Sequence, residues 1–244
     1  MKVIINGAGG RMGRALAAMI EKGCRGAALA GAVDPYVQEE GMLPSLHEFA
    51  GEADCIIDFS NHAGTCALLD YAAEKGLPVV VCTTGHTEEE LAAIRAAAER
   101  IPVFHSGNMS LGIAVLTQLV RCAARMFPDA DVEIVESHHN QKLDVPSGTA
   151  LMLAHAVQDA RPDSHLLVGR HESGKRTKQE IGIHSLRMGN TVGIHEVIIN
   201  TGTQVITLKH EAQDRSLFAE GALAAAAFII GRAPGLYTMD DIVE

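Results

Sequence analysis

The apolar residues fall into two patterns along the chain. Through residues 1–105 short apolar runs, "KVIIN", "AALAGAVD", "ADCIIDFS", "PVVVCT" and "PVFH", alternate with longer stretches of helical spacing. The stretches are "RMGRALAAMIEKG", "HAGTCALLDYAAEKG" and "EEELAAIRAAAER". Strands apolar on both faces, separated by amphipathic helices, predict a parallel sheet covered on both sides. Punctuation agrees: the first helix stops at Gly23. Thr87 and Glu90 form a capping box, in which the hydroxyl accepts from a free N–H and the carboxylate reaches back.

After residue 105 the pattern changes. "GIAVLTQLVRCAARMF" predicts a helix ending at Pro128, "DVEIVES" a strand and "TALMLAHAVQDA" a helix. Beyond the charged segment "GRHESGKRTKQE" come three strand-like runs, "IGIHSLRM", "GIHEVIIN" and "QVITLKHEA". The turns "GNTV" and "NTGT" are short enough to make both connections hairpins. A last helix, "SLFAEGALAAAAFIIG", follows. The predicted fold class is α/β: a Rossmann-type parallel-sheet domain plus a second α+β domain with an open antiparallel or mixed sheet. Few helices remain to cover both faces of that second sheet. One face is expected against other subunits in a closed oligomer, most simply a tetramer.

Composition narrows the classes of function. At 244 residues the chain has room for one large or two small domains. A net charge of −10 removes the bulk electrostatic case for nucleic acid or an anionic membrane surface. The five cysteines form no C-x-x-C pair and suit reduced thiols in a cytoplasmic protein. "MKVIINGAGG" enters a strand directly, without the apolar segment of a signal peptide, and no apolar run approaches the ~20 residues that span a bilayer.

"GAGGRMG", residues 7–13, lies between the first strand and the first helix. Glycines there allow a tight turn, close approach of backbone N–H groups to a pyrophosphate, and tight helix–strand packing. The helix N-terminus adds positive potential. The spacing is G-x-x-G-x-x-G (Gly7, Gly10, Gly13), and a glycine-rich turn without a ligand is the plainer alternative. Asp34 ends the second strand, where an acidic side chain accepts from the adenosine ribose hydroxyls and repels a 2′-phosphate. The plainer alternative is an Asp-Pro turn. Pro35 denies the chain an adjacent arginine, and Arg11 in the loop is the candidate to offset the repulsion. NADH is therefore the expected cofactor, with NADPH as second choice.

"EIVESHHNQKLDVPSGTA", residues 133–150, crowds proton carriers beside a helix start. Pro146 bars the preceding residue from helical geometry, and Ser147 is a candidate N-cap. The first N–H groups of a helix, here around Gly148 and Thr149, suit a carboxylate or phosphate. Lys142 adds a cation or a proton donor, and His138 and His139 titrate near neutrality. Surface histidines before an ordinary helix start are the alternative. A metal site is a third possibility, but no H-E-x-x-H or cysteine cluster completes a ligand set, so no metal is expected.

This segment resembles the signature of the dihydrodipicolinate reductase family, and the resemblance runs over essentially the whole chain. "GAGGRMG", "DFS" (58–60), "CTTG" (82–85) and "SGNMSLGI" (106–113) are similar to its cofactor-side segments. "GIHSLRMGNTVGIHEV" is similar to its sheet segment, and "RSLFAEGALAAAAFI" to its returning helix. The resemblance implies a lysine and diaminopimelate pathway oxidoreductase, a cytoplasmic homotetramer. It would reduce a cyclic unsaturated imine dicarboxylate to tetrahydrodipicolinate with NADH or NADPH. It implies His138 as acid/base, Lys142 as proton donor, and His139, Ser147, Gly148 and Thr149 as substrate contacts. Implied cofactor contacts are Gly7, Ala8, Gly9, Gly10, Arg11, Met12, Asp34, Phe59, Ser60, Cys82, Thr83, Thr84, Ser106, Gly107, Asn108 and Met109. It also implies a split organisation. Residues 1–109 with 216–244 would hold the dinucleotide, and 110–215 the substrate and the oligomer contacts. Cys82 and Met188 stand where the family often carries smaller residues, and the short chain implies trimmed loops. A dinucleotide sensor without catalysis, or a dehydrogenase of another small acid, would share the glycine loop but has no need of the histidine–lysine segment.

Overall fold

Strand β1 (Lys2–Asn6) carries Val3, Ile4 and Ile5 fully buried, because it is central in its sheet and packed on both faces. The computed structural model describes residues 1–243; Glu244, the last residue of the expected first domain, lies outside the described residues. After β1 come α1 (Arg11–Glu21), β2 (Ala28–Val33), β3 (Met42–Leu43), β4 (Cys55–Asp58) and α2 (Thr65–Lys75). Then follow β5 (Val79–Val81), α3 (Glu88–Ala98) and β6 (Pro102–His105). The chain continues through α4 (Leu111–Met126), β7 (Asp131–His138), α5 (Gly148–Ala160), β8 (His165–Val168) and β9 (Glu180–Arg187). It ends with β10 (Gly193–Asn200), β11 (Val205–Ala212), α6 (Ser216–Ile229), β12 (Gly235–Tyr237) and α7 (Asp240–Val243).

Two compact units result, one of Met1–Leu111 with Ser216–Ile242, the other of Gly112–Arg215. The first is built on a seven-stranded parallel sheet in the order β12-β6-β5-β4-β1-β2-β3. Strand order reverses direction at β1 and β4, which makes the crevice beyond their carboxyl ends the topological switch point. Helices α2 and α3 bury Leu68, Leu69, Ile94 and Ala97 with Ile4, Ile56 and Val79 of the sheet. Helix α6 packs with α1 and against β6. It is apolar nearly all round, and a Cβ on Gly221 would stand 1.6 Å from the Met109 carbonyl oxygen, so only glycine permits that approach. The Thr87–Glu90 capping box forms as expected.

The second unit holds a five-stranded mixed sheet in the order β11-β10-β7-β9-β8. Val132, Ile134, Ile181, Ile183, Val197 and Ile199 point to one face, where α4 and α5 cover them with Ile113, Leu116, Val120, Leu153 and Val157. Only one of the two expected hairpins exists. Strands β10 and β11 pair antiparallel across Thr201–Gln204 turn bonding. The segment "GNTV" does not close a hairpin, because β7 lies between β9 and β10, parallel to the first and antiparallel to the second. The connection crosses the end of β7 instead: Met188 N–H donates to the His138 carbonyl (2.9 Å) and Asn140 N–H to the Gly189 carbonyl (3.2 Å). A short link permits adjacency, but the parallel crossover through α5 places β9 beside β7 instead. Strands β3, β8 and β12 lie at sheet edges and lack the doubly buried apolar runs that mark the central strands in the sequence. Among the described residues no helix is long and apolar enough to cross a membrane.

Candidate functional site

In the first unit the glycine loop is shaped by close approaches. Gly7 has φ +80°, and a Cβ there would lie 2.6 Å from the Phe59 carbonyl oxygen. A Cβ on Gly13 would lie 2.2 Å from the Gly7 carbonyl oxygen, so α1 starts directly on the turn. Its N-cap is Gly10, with no side-chain cap among the described residues, which leaves the first N–H groups of α1 for a ligand. Asp34 is buried and braces this loop: Oδ2 accepts from Gly9 N–H (3.1 Å) and Oδ1 from Tyr36 N–H (3.0 Å).

Two cavities flank the loop, of about 600 Å³ and about 520 Å³. The first brings together Gly7, Gly10 and Asp34 with Tyr36 and His47; the second Arg11, Met12, Cys82, Thr83, Thr84, Gly107, Asn108 and Met109. Phe59, Ser60 and Asn61 line both. A pair of cavities meeting at a glycine-rich helix start fits a molecule of two nucleotides joined by a pyrophosphate. Three candidate residues line neither cavity and are engaged within the chain. Ala8 N–H donates to the Val33 carbonyl, Gly9 binds Asp34, and the Ser106 hydroxyl bridges Asn108. Arg11 faces the second cavity, away from Asp34 in the first. The cation associated with the Asp34 side is Arg14, paired with Glu39 (2.6 Å) and bonded to the Gly9 carbonyl. Burial pushes the Cys82 thiol well up, so it serves there as a small apolar group.

Asp58 opens the segment "DFS". It is fully buried at the end of β4. Its Oδ1 accepts from Asn6 Nδ2 (2.8 Å) and the Ser60 hydroxyl (2.5 Å), and its Oδ2 from the Thr83 hydroxyl (2.6 Å). One carboxylate thus ties together the ends of β1, β4 and β5 at the switch point.

In the second unit, the period of two along β7 places Glu136 and His138 on the same face as Val132 and Ile134, at the strand's carboxyl end. His138 Nδ1 lies 2.5 Å from Glu136 Oε2. Glu136 is fully buried, and Arg187 of β9 grips it with both terminal nitrogens (2.9 and 2.8 Å). The Ser147 N–H donates to its other oxygen at 3.2 Å. Burial alone would raise the Glu136 pKa, but the Arg187 fork, the Ser185 hydroxyl, His138 and the Ser147 N–H outweigh it and hold the carboxyl down to about 2. Burial lowers His138, and the Glu136 carboxylate opposes that shift. A Cβ on Gly193 would stand 3.1 Å from His138 Nε2, so glycine there lets the backbone pass the ring without a side chain against that nitrogen.

Ser147 caps α5, its hydroxyl accepting from Ala150 N–H (3.2 Å) and lying 3.1 Å from His195 Nε2. The His195 ring stands edge-on to His138, centroids 5.1 Å apart. Burial, then the nearby His138, bring His195 down to about 4. Lys142 Nζ lies 2.8 Å from Asp144 Oδ1, and Lys142 N–H closes a turn on the His139 carbonyl. At Gly148 a Cβ would meet nothing within 4 Å among the described residues, so the helix start is open to a ligand. Thr149 follows within the first turn of α5. Arg187 and His195 lie within the segment "GIHSLRMGNTVGIHEV" but carry no assigned role in the sequence, because they act on β7 from about fifty positions away.

Family models settle the wider comparison. The model described as dihydrodipicolinate reductase, N-terminus, matches residues 1–109, and the C-terminus model matches 112–243. The chain belongs to the dihydrodipicolinate reductase family. A 4-hydroxy-tetrahydrodipicolinate reductase of Caldanaerobacter subterraneus subsp. tengcongensis is 44% identical, with 100% of this chain and 98% of that protein covered. One from Clostridium novyi is 40% identical over the same shares, 100% and 98%. Among solved structures, the dipicolinate-bound dihydrodipicolinate reductase of Paenisporosarcina sp. TG-14 matches with a TM-score of 0.83 at 24% identity, covering 99% of each chain. That likeness fixes the fold: a Rossmann-type sheet unit and a second unit with a mixed sheet. The family resemblance drawn from the sequence segments therefore holds over both units.

Proposed function

We propose that this chain is an NAD(P)H-dependent reductase that converts a cyclic unsaturated imine dicarboxylate to tetrahydrodipicolinate, a reading supported by its relatives' name, 4-hydroxy-tetrahydrodipicolinate reductase. Residues 1–109 with 216–244 hold the dinucleotide, and 110–215 hold the substrate. The observation that carries this reading is His138, buried, anchored through Nδ1, on the same strand–helix connection as the open N-terminus of α5. The bound dinucleotide supplies a hydride from its reduced nicotinamide. The product of hydride addition then needs a proton at the adjacent carbon, and Lys142 with His138 supplies it. The Ser147, Gly148 and Thr149 turn holds one substrate carboxylate at the start of α5, where Gly148 leaves room for it, with His139 and Lys142 beside it. The test is NADH oxidation with substrate freshly generated by the preceding aldolase-type synthase; no turnover with either cofactor would remove the assignment.

NADH is the preferred cofactor in this reading. Among the described residues the cavity at Asp34 is lined by no lysine or arginine. Arg14 is already engaged by Glu39. Repulsion between the Asp34 carboxylate and a 2′-phosphate is worth on the order of 1–2 kcal/mol at a partly solvated site, or roughly tenfold in preference. Asp34→Ala should weaken both cofactors, because the Gly9 brace goes with it, yet improve NADPH relative to NADH in kcat/KM. A native enzyme with equal values, or a variant with no relative gain, would remove Asp34 as the selector.

A homotetramer belongs to the same proposal. The face of the second sheet turned away from α4 and α5 carries Leu186 (47% exposed) and Val205 (58% exposed), with Ile194 and Ile198 half-buried. Light scattering is expected to give the mass of four chains at micromolar concentration, and a monomer there would exclude it.

A further inference from the structure

The geometry points to Glu136 as a positioning residue that sets the tautomer of His138 and holds the anion-binding turn with the same carboxylate. The inference rests on the proposed role of His138 as proton carrier. A carboxylate with no exposure is costly unless every lone pair is used. Here they are used. Oε2 faces His138 Nδ1 and Arg187 Nη1, and Oε1 accepts from Arg187 Nη2 and the Ser147 N–H.

An ionised carboxylate only accepts, so the ring must present a hydrogen on Nδ1. In the neutral imidazole Nε2 is then the basic atom, and glycine at 193 keeps any side chain from crowding it. Arg187 keeps Glu136 ionised, and its Nη2 also donates to the Asp144 carbonyl (2.7 Å), just ahead of the Pro146–Ser147 turn. The proton-exchanging nitrogen and the first residue of the anion site are therefore fixed to one group. A carboxylate serving only to pin β7 to β9 would need Arg187 alone. The charged and titratable groups around His138 are Glu136 on β7, Lys142 beyond it, Arg187 on β9 and His195 on β10.

The direct test is ¹⁵N NMR of the histidine side chains in the native chain, which requires no turnover. His138 is expected as the Nδ1–H tautomer when neutral; the Nε2–H tautomer would overturn the proposal. Glu136→Gln keeps the shape and removes the charge. It should lower kcat by at least about tenfold, leave NADH affinity within about twofold, and move the basic limb of the kcat/KM profile to lower pH. Glu136→Asp should lose kcat but keep the position of that limb. A folded Glu136→Gln with native tautomer and native profile would reduce Glu136 to a strut. If Glu136→Gln does not fold, the native tautomer and the Glu136→Asp profile still decide. Failure of the native chain to oxidise NADH would instead count against the proposed reaction and leave the tautomer measurement standing.

Discussion

His138→Gln and Lys142→Met are each expected to lower turnover by about 10²-fold or more, the scale at which a positioned acid or base contributes. Glutamine at 138 can keep a hydrogen bond to Glu136 but cannot take up and release a proton near neutrality. Methionine at 142 retains the length of the stem and removes the ammonium, together with its 2.8 Å contact to Asp144. Lys142→Met should also raise the KM for substrate, since the cation proposed to face the dicarboxylate is gone. Neither change touches the glycine loop or the Asp58 network, so NADH affinity should stay within about twofold. Steady-state rates at saturating substrate, with NADH binding measured separately, check both parts. Near-normal turnover in either variant would strike that residue from the proton path.

The sequence disclosed those parts of the site that are local in the chain. Glycines at 7, 10 and 13 follow from the geometry of a strand–turn–helix, and the Ser147 cap from a turn whose requirements lie within a few residues. Both hold in the structure. What the sequence concealed is contributed across strands. Glu136 is one acidic residue among several in "EIVES", and nothing in its neighbours says that Arg187 will grip it from β9 or that His195 will face it from β10. The same blindness produced the false hairpin: turn chemistry at Gly189–Asn190 permits one, but strand order is set by the crossover through α5. Asp34 shows a subtler limit. Its position at the end of β2 suggested a contact to ribose, whereas its two oxygens also brace Gly9 and Tyr36.

Acid should destabilise the second unit well before its carboxylates titrate. His195 is buried as the neutral ring, and its pKa is brought from the ordinary 6.5 down to about 4. Between those values the unfolded chain binds a proton that the folded chain refuses, so stability falls as pH falls through that window. At 1.36 kcal/mol per unit, His195 alone accounts for about 3 kcal/mol between neutrality and pH 4. Burial lowers His138 and His210 as well, which adds to the effect in the same direction. Glu136 acts later: its pKa lies down at about 2 against an ordinary 4.5, so its contribution is complete above 4.5 and drains away below it. Urea unfolding followed by far-UV circular dichroism from pH 7 to pH 4.5 should show the midpoint dropping steadily. Tyrosine fluorescence would miss it, because the chain has no tryptophan and Tyr36, Tyr71 and Tyr237 all lie in the first unit. Hydrogen exchange on peptides covering β10 would place the loss in the second sheet. His195→Gln should be less stable at pH 7 yet flatter between pH 6.5 and pH 4.5, since the uncharged amide has no proton to bind. An unchanged slope in that variant would move the acid sensitivity to another buried group, with His138 the first to examine.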